Sequence, residues 1–89
     1  MNYDIGKPNY TTDALISISA CPPPVKNRIY QEVERVSAAI SNNAVPRNLF
    51  RLKNEQDTYV VKFEDKGIVL SILKDKTIFV IDVVNANAR

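Results

Sequence analysis

The sequence contains no histidine, no tryptophan and a single cysteine, Cys21. Histidine is the usual general base and a common zinc ligand, so its absence excludes the common hydrolase triads. One cysteine excludes an internal disulfide and any cysteine-based zinc cluster, and without a histidine partner we expect Cys21 to be an inert thiol. Any catalysis therefore has to use Lys, Arg, Asp, Glu or Tyr, and the sequence predicts neither a metal ion nor a cofactor.

Glycine and long apolar runs are also scarce. The two glycines, Gly6 and Gly67, are too few for a glycine-rich phosphate loop. No apolar run is long enough to span a bilayer, and the N-terminus lacks the basic-then-apolar pattern of a signal peptide. We therefore expect a cytoplasmic protein without a membrane partner. Residues 1–12 are polar and turn-prone, which predicts an irregular lead-in. The length and ordinary composition of the chain predict a single domain, and the α+β domain is assigned to residues 13–89.

The charges are unevenly distributed along the chain. Residues 1–46 carry four basic and four acidic residues, whereas residues 47–76 carry seven basic and five acidic ones. A local excess of cations can attract a phosphate backbone, although an excess this small also fits a solvated surface of mixed charge. The candidate contacts to RNA or to an acidic partner are Arg47, Arg51, Lys53 and Lys66. The alternative is that these residues guard an edge strand against pairing.

The first half of the chain predicts a strand followed by a helix. Residues 13–20 alternate and include β-branched side chains, which is typical of a strand. The prolines in residues 21–24 would end that strand, and they suit the first turn of a helix. Apolar residues then recur at helical spacing, which predicts one amphipathic helix: Val25, Ile29, Val33, Val36 and Ile40. Residues 41–46, with two asparagines and a proline, would end it.

The second half predicts four strands, over residues 48–53, 58–64, 67–73 and 77–84. Tyr59, Val61 and Phe63 fall on one face of their strand. Asp82 interrupts an otherwise apolar strand, and because a buried carboxylate needs partners, we expect it to meet an arginine or Ser71 unless its strand lies at an edge. The order β-α-β-β-β-β predicts an α+β fold with one amphipathic helix packed on a mainly antiparallel sheet.

The segment FRLKNEQDTYVVKFEDKGIVLSILKDKTIFVIDVV resembles the C-terminal half of the RelE/ParE superfamily, the toxins of bacterial toxin–antitoxin pairs. The matching features are a short strand at Arg51-Leu52-Lys53, Tyr59 with Lys62 three residues later, Gly67 in a tight turn, and the apolar strand 77–84. The resemblance covers residues 48–89. It implies a RelE/ParE-like fold and an antitoxin as protein partner. Such toxins usually carry a helical hairpin before the sheet, whereas this sequence predicts a single helix.

The resemblance also implies where catalytic cations would lie. Members that cut messenger RNA on the ribosome use closely placed Lys and Arg side chains, which stabilise the charge that develops at the phosphate. Lys62 and Arg89 match two such positions, but Val60 and Val69 stand where the family has a lysine and an arginine. Each lost donor typically costs about two to three orders of magnitude in rate. Most of the nuclease set is thus replaced. If the chain is an enzyme, it is a ribosome-dependent endoribonuclease that uses Lys62 and Arg89.

Two functions remain open. The first is a RelE/ParE-like toxin that inhibits translation or gyrase mainly by binding, with RNA or the ribosome as further partners. The second is a non-catalytic protein-binding inhibitor on the same scaffold, encoded by a phage or plasmid. Under this second function, the partner could also be another copy of the chain, in a homodimer. In both, Val60 and Val69 form an apolar partner surface, because exposed apolar patches usually mark protein contacts.

Overall fold

The structure, a computed structural model, describes residues 7–52 and 57–85. Seven elements follow one another in these ranges: β1 (Asn9–Tyr10), α1 (Thr12–Ser19), α2 (Pro23–Ser41), β2 (Leu49–Arg51), β3 (Thr58–Phe63), β4 (Lys66–Ile72) and β5 (Ile78–Asn85). The predicted α+β class is confirmed, and the strands form one sheet in the order β1-β5-β4-β3-β2. Since only β1 and β5 pair in parallel, the sheet is mainly antiparallel, as predicted.

The strand predicted over residues 13–20 is wrong, because this segment forms α1. Thr11 caps the helix: its side-chain oxygen accepts a hydrogen bond from the backbone N–H of Ala14 at 3.1 Å. Ala14 and Ile18, four residues apart, are fully buried, whereas Ile16 is 60% exposed. The alternation in the sequence therefore does not separate two faces of a strand, and the helical spacing and the N-cap decide the conformation. The element order thus has two helices instead of one.

The N-terminal strand β1 falls within the range for which the sequence predicts irregular structure. Asn9 and Tyr10 lie opposite Phe79 and Val80 of β5. The pairing continues for one more residue, because the backbone N–H of Thr11 donates to the carbonyl of Val80 at 3.0 Å. The chain then turns directly into α1, so β1 forms the edge of the sheet beside β5 and α1 follows it at once.

The amphipathic helix predicted after the prolines is confirmed as α2. Pro22 occupies the N-cap position and Pro23 the first helical position, where a missing backbone N–H costs no hydrogen bond. The helix ends at Ser41, and Asn43 then adopts a left-handed conformation with φ 62°. The buried side of α2 is formed by Ile29, Val33, Val36 and Ser37.

The turn between β3 and β4 differs in one detail from the prediction. It consists of Glu64 and Asp65, and Glu64 takes the positive φ of 56° that the turn requires. Gly67, predicted to lie in this turn, is already inside β4, opposite Lys62 of β3. The expectation for Gly67 is therefore corrected: the tight turn is made without glycine.

Both helices pack on the same face of the sheet. Tyr59 and Phe63 flank this core, on the same face as Val61, as the alternation in β3 predicts. The buried residues form one cluster: Ala14, Ile18, Ile29, Val33, Val36, Val61, Ile68, Leu70, Ile78, Val80 and Val83. In the described part of the chain, neither helix is long and apolar enough to cross a membrane.

Candidate functional site

The sheet face opposite the helices carries an apolar patch at its β2–β4 side. Val61 and Ile68 are cross-strand partners that point into the core, so the adjacent pair, Val60 and Val69, points to the other face. Phe50 of β2 lies opposite Val60 and therefore shares that face. We call Phe50, Val60, Val69 and the neighbouring Lys62 the open face. No helix in the described ranges covers it.

Lys62 and Phe50 are in contact at the rim of the open face. The Lys62 ammonium nitrogen lies 5.2 Å from the centroid of the Phe50 ring, which is a cation–π distance. The Phe50 side chain is 47% exposed and Lys62 is exposed, whereas Val60 and Val69 are half-buried. The open face is therefore a small apolar surface with one cation at its rim, and it offers a partner both apolar area and a positive charge.

Asn48, the residue before β2, fixes the backbone of Lys62. The backbone N–H of Lys62 donates to the carbonyl of Asn48 at 2.9 Å, and the side-chain amide of Asn48 donates to the carbonyl of Lys62 at 2.9 Å. The same amide group donates to the Glu32 carboxylate of α2 at 2.7 Å. Lys62 is thus connected through Asn48 to the helix layer on the far side of the sheet.

Glu32 is held in its ionised form by this arrangement. Arg35, three residues later on α2, contacts both oxygens of the Glu32 carboxylate, at 2.5 and 3.1 Å, and also donates to Asn48 at 2.9 Å. The hydrogen bond from Arg35 is the main reason why the pKa of Glu32 is lowered; partial burial opposes this effect and the hydrogen bond from Asn48 adds to it. The pKa of the Arg35 guanidinium is raised in return.

Lys66 does not share the open face with Lys62. It lies opposite Phe63 and Asn85 and two residues before the buried Ile68, so it shares the helix side of the sheet with Ile68. Its ammonium donates to the Asn85 side chain at 2.8 Å. Lys66 lines an open cleft of about 350 Å³ together with Cys21. The structure therefore separates two lysines that the sequence places four residues apart.

The basic cluster predicted around β2 is also divided. Arg51 alternates with Phe50, so it points away from the open face, and Arg47 is exposed in the loop before β2. Lys53 and Arg89, the other predicted contact and the second predicted catalytic residue, lie outside the described residues. Of the named site residues, the structure brings together Lys62, Val60 and Val69.

The Asp82 carboxylate finds a partner that the sequence did not indicate. It accepts a hydrogen bond from the Ser17 hydroxyl of α1 at 2.6 Å and another from the backbone N–H of Val83 at 2.8 Å. The expected arginine or Ser71 contact is therefore replaced by Ser17. The pairing register of β4 and β5 shifts between Val69 and Leu70, where β5 carries one extra residue, next to Asp82. Asp82 thus connects α1 to β5 through a hydrogen bond, and its role is structural.

The contribution of Asn48 was missed at the level of sequence. Glu32 and Arg35 are an i, i+3 pair on a predicted helix, which is a recognisable signal for an ion pair. Nothing local indicates that Asn48, sixteen residues from Glu32, would join them. Among residues 7–52 and 57–85, no group of His, Cys, Asp and Glu side chains could hold a metal ion.

The fold has clear counterparts among solved structures. No protein-family model and no curated relative matches the chain. A chain of the archaeal RelE–RelB complex from Pyrococcus horikoshii superposes with a TM-score of 0.75 at 15% identity, covering 93% of this chain and 97% of that one. A chain of the toxin–antitoxin complex RelBE2 from Mycobacterium tuberculosis gives 0.74 at 16% identity, with 89% and 95% covered.

A toxin crystallised without a partner also has a similar fold. The isolated RelE toxin from E. coli superposes with a TM-score of 0.70 at 18% identity, covering 92% of this chain and 85% of that one. At such identities the likeness establishes the fold and not the activity. The helical pair that the family resemblance implies, and that the sequence pattern did not predict, is present in this chain as α1 and α2.

Proposed function

Starting from the RelE-like toxin fold of this chain, we propose that the protein is the toxin of a toxin–antitoxin pair and acts in the cytoplasm by binding its target. The observation that carries the proposal is the open face. Val60 and Val69 pair there beside an exposed Phe50, with Lys62 as the cation that the structure places next to them. Apolar side chains at the centre and charge at the rim are typical of protein-binding surfaces.

Binding explains this face better than RNA cleavage does. Cleavage requires several cations around the developing charge on the phosphate. Within the described ranges the open face holds one, Lys62, and its ammonium lies against the Phe50 ring. Arg51 and Lys66 belong to the other side of the sheet. We therefore propose inhibition of translation or of gyrase through protein contact, with an antitoxin segment as the neutralising partner.

Growth after induced expression in a bacterial host tests this function. We expect the wild type to arrest growth, Lys62→Ala to relieve the arrest, and Lys74→Ala to leave it unchanged. Lys74 is the matched control because it is an exposed lysine in the turn between β4 and β5 and its substitution changes the net charge equally. Undiminished growth under wild-type expression, with soluble protein present, would contradict the toxin proposal.

A second substitution separates binding from cleavage. Val69→Arg introduces the cation that the family resemblance places at this position. If the open face binds a protein through apolar contact, the buried charge weakens the arrest. If the chain is a nuclease, the added cation preserves or strengthens it and RNA fragments accumulate. Sequencing of cellular RNA after induction distinguishes the two, and fragments that increase with Val69→Arg would refute the binding mode.

A non-catalytic inhibitor without an antitoxin is the second candidate. The observation in its favour is the additional apolar exposure of Val84, which is 44% exposed and follows the buried Val83. Val84 pairs with Gly67, the cross-strand partner of Lys62, so it lies on the same side of the sheet as the open face. Co-expression with the product of the adjacent gene decides between the candidates. Rescue of growth supports the toxin–antitoxin pair, and arrest without rescue supports the inhibitor.

A further inference from the structure

Both backbone polar groups of Lys62, the cation of the open face, are bonded to one neighbour, Asn48. Its N–H donates to the Asn48 carbonyl and its C=O accepts from the Asn48 side chain, both at 2.9 Å. β2 itself begins at Leu49. The Asn48 amide thus replaces a backbone hydrogen bond one residue beyond the regular strand, at the point where pairing would otherwise begin to fray.

The Asn48 side chain has no unused hydrogen-bonding capacity on the donor side. Its two amide hydrogens donate to Lys62 and to Glu32, and its oxygen accepts from Arg35 at 2.9 Å. An amide saturated in this way has one orientation, and reorienting it would break contacts to a charged pair. Asn48 therefore connects α2 to β3 through hydrogen bonds, with Glu32 and Arg35 on the helix and Lys62 on the strand.

We infer that Asn48 is a positioning residue that holds the Lys62 ammonium at the Phe50 ring, so that the cation of the open face is presented in a fixed place. The inference rests on the proposed function for its biological meaning, but its geometry does not depend on that function. A lysine side chain on an exposed strand is otherwise free to sample many rotamers, and fixing its backbone and its ring contact reduces that freedom.

Nuclear magnetic resonance of the purified chain tests the positioning directly. A cation above an aromatic ring experiences the ring current, so the Lys62 ε-methylene protons should be shifted upfield in the wild type. Phe50→Leu gives the reference without the ring. In Asn48→Ala we expect these protons to move most of the way to that reference. Unchanged Lys62 signals in folded Asn48→Ala would overturn the inference.

Arg28→Ala is the matched control for general loosening. Arg28 joins α2 to Glu64, beside the same hairpin, through an exposed ion pair at 3.0 Å. Its loss should leave the Lys62 signals in place, and an equal shift in this variant would also overturn the inference. If Asn48→Ala does not fold, Arg35→Ala serves instead. It removes the donor to Asn48 from an exposed position, and a smaller shift in the same direction is expected.

The growth assay then shows whether positioning matters for function. If Asn48 acts through Lys62, Asn48→Ala relieves growth arrest in the wild-type background and adds nothing in the Lys62→Ala background. Additive effects would mean that Asn48 is merely structural and would overturn the functional part of the inference. Because the spectral test needs no toxicity, a failure of the toxin proposal and a failure of the positioning inference give different results.

Discussion

At the scale of single residues, the molecule uses small polar side chains to join elements that lie far apart in the sequence. Asn48 connects β3 to α2, and Ser17 connects α1 to Asp82 of β5. Asp82 illustrates why sequence patterns could not identify such contacts. The need for a partner followed from its apolar neighbours, but its partner lies sixty-five residues away on a segment that the sequence assigned to the wrong kind of element.

The Ser17–Asp82 contact predicts a measurable loss of stability. Ser17→Ala removes the hydroxyl donor from a partly buried carboxylate, and hydrogen bonds to charged groups contribute about 1.5 to 3 kcal/mol. We expect the lower end of that range in urea unfolding, since Val83 still donates to Asp82. Ser19→Ala is the control, because the exposed Ser19 hydroxyl bonds only within its own helix in the described contacts. Equal losses of unfolding free energy in both variants would contradict a stabilising Ser17–Asp82 hydrogen bond.

At the scale of elements, periodicity was reliable where a long stripe existed and unreliable where the segment was short. The five apolar positions of α2 and the alternation in β3 predicted both elements correctly. In α1, eight residues with three isoleucine or leucine side chains fit either period, and two of those side chains, Leu15 and Ile16, are exposed. The cap at Thr11, rather than the pattern, was the informative signal.

The N-cap of α1 gives a prediction at this scale. Thr11→Ala removes the acceptor of the Ala14 N–H, and losing an N-cap typically costs about 1 kcal/mol. It also removes the hydroxyl that donates to the Ile81 carbonyl at 2.7 Å. We expect lower unfolding free energy and faster amide exchange throughout α1, with Thr11→Ser close to the wild type. If residues 13–20 formed a strand, neither substitution would change the unfolding free energy through an N-cap.

At the scale of the whole molecule, two helices on one side leave half of the sheet surface for contacts. The α+β class and the mainly antiparallel sheet followed from the sequence, and so did the presence of Lys62, Val60 and Val69 in neighbouring strands. The sequence could not show that Lys62 and Lys66 point to opposite faces, since that depends on the two-residue turn and on Gly67 lying in β4. The composition of the open face therefore depends on the pairing register of β3 and β4, and a local sequence pattern does not determine that register.

The stability of the whole chain should fall in acid because of Glu32. Its pKa is lower in the folded protein than the ordinary value of 4.5, chiefly through Arg35. A lowered folded-state pKa contributes stability above the unfolded value, and this contribution disappears as the pH drops through the folded-state value. We expect Glu32→Gln to flatten the dependence of unfolding free energy on pH below pH 4.5. An equal flattening in Glu34→Gln, which removes an exposed carboxylate from the same helix, would contradict the assignment to Glu32.

The pairing of β1 and α1 with β5 has a consequence for biosynthesis. The first described elements of the chain pack against its last described strand, and β5 supplies Ile78, Val80 and Val83 to the core. A growing chain therefore carries α1 without its partner until β5 has been synthesised, and late contacts between distant segments make folding slow. The open face lies on the sheet that this core supports, so it forms only after β5 has left the ribosome.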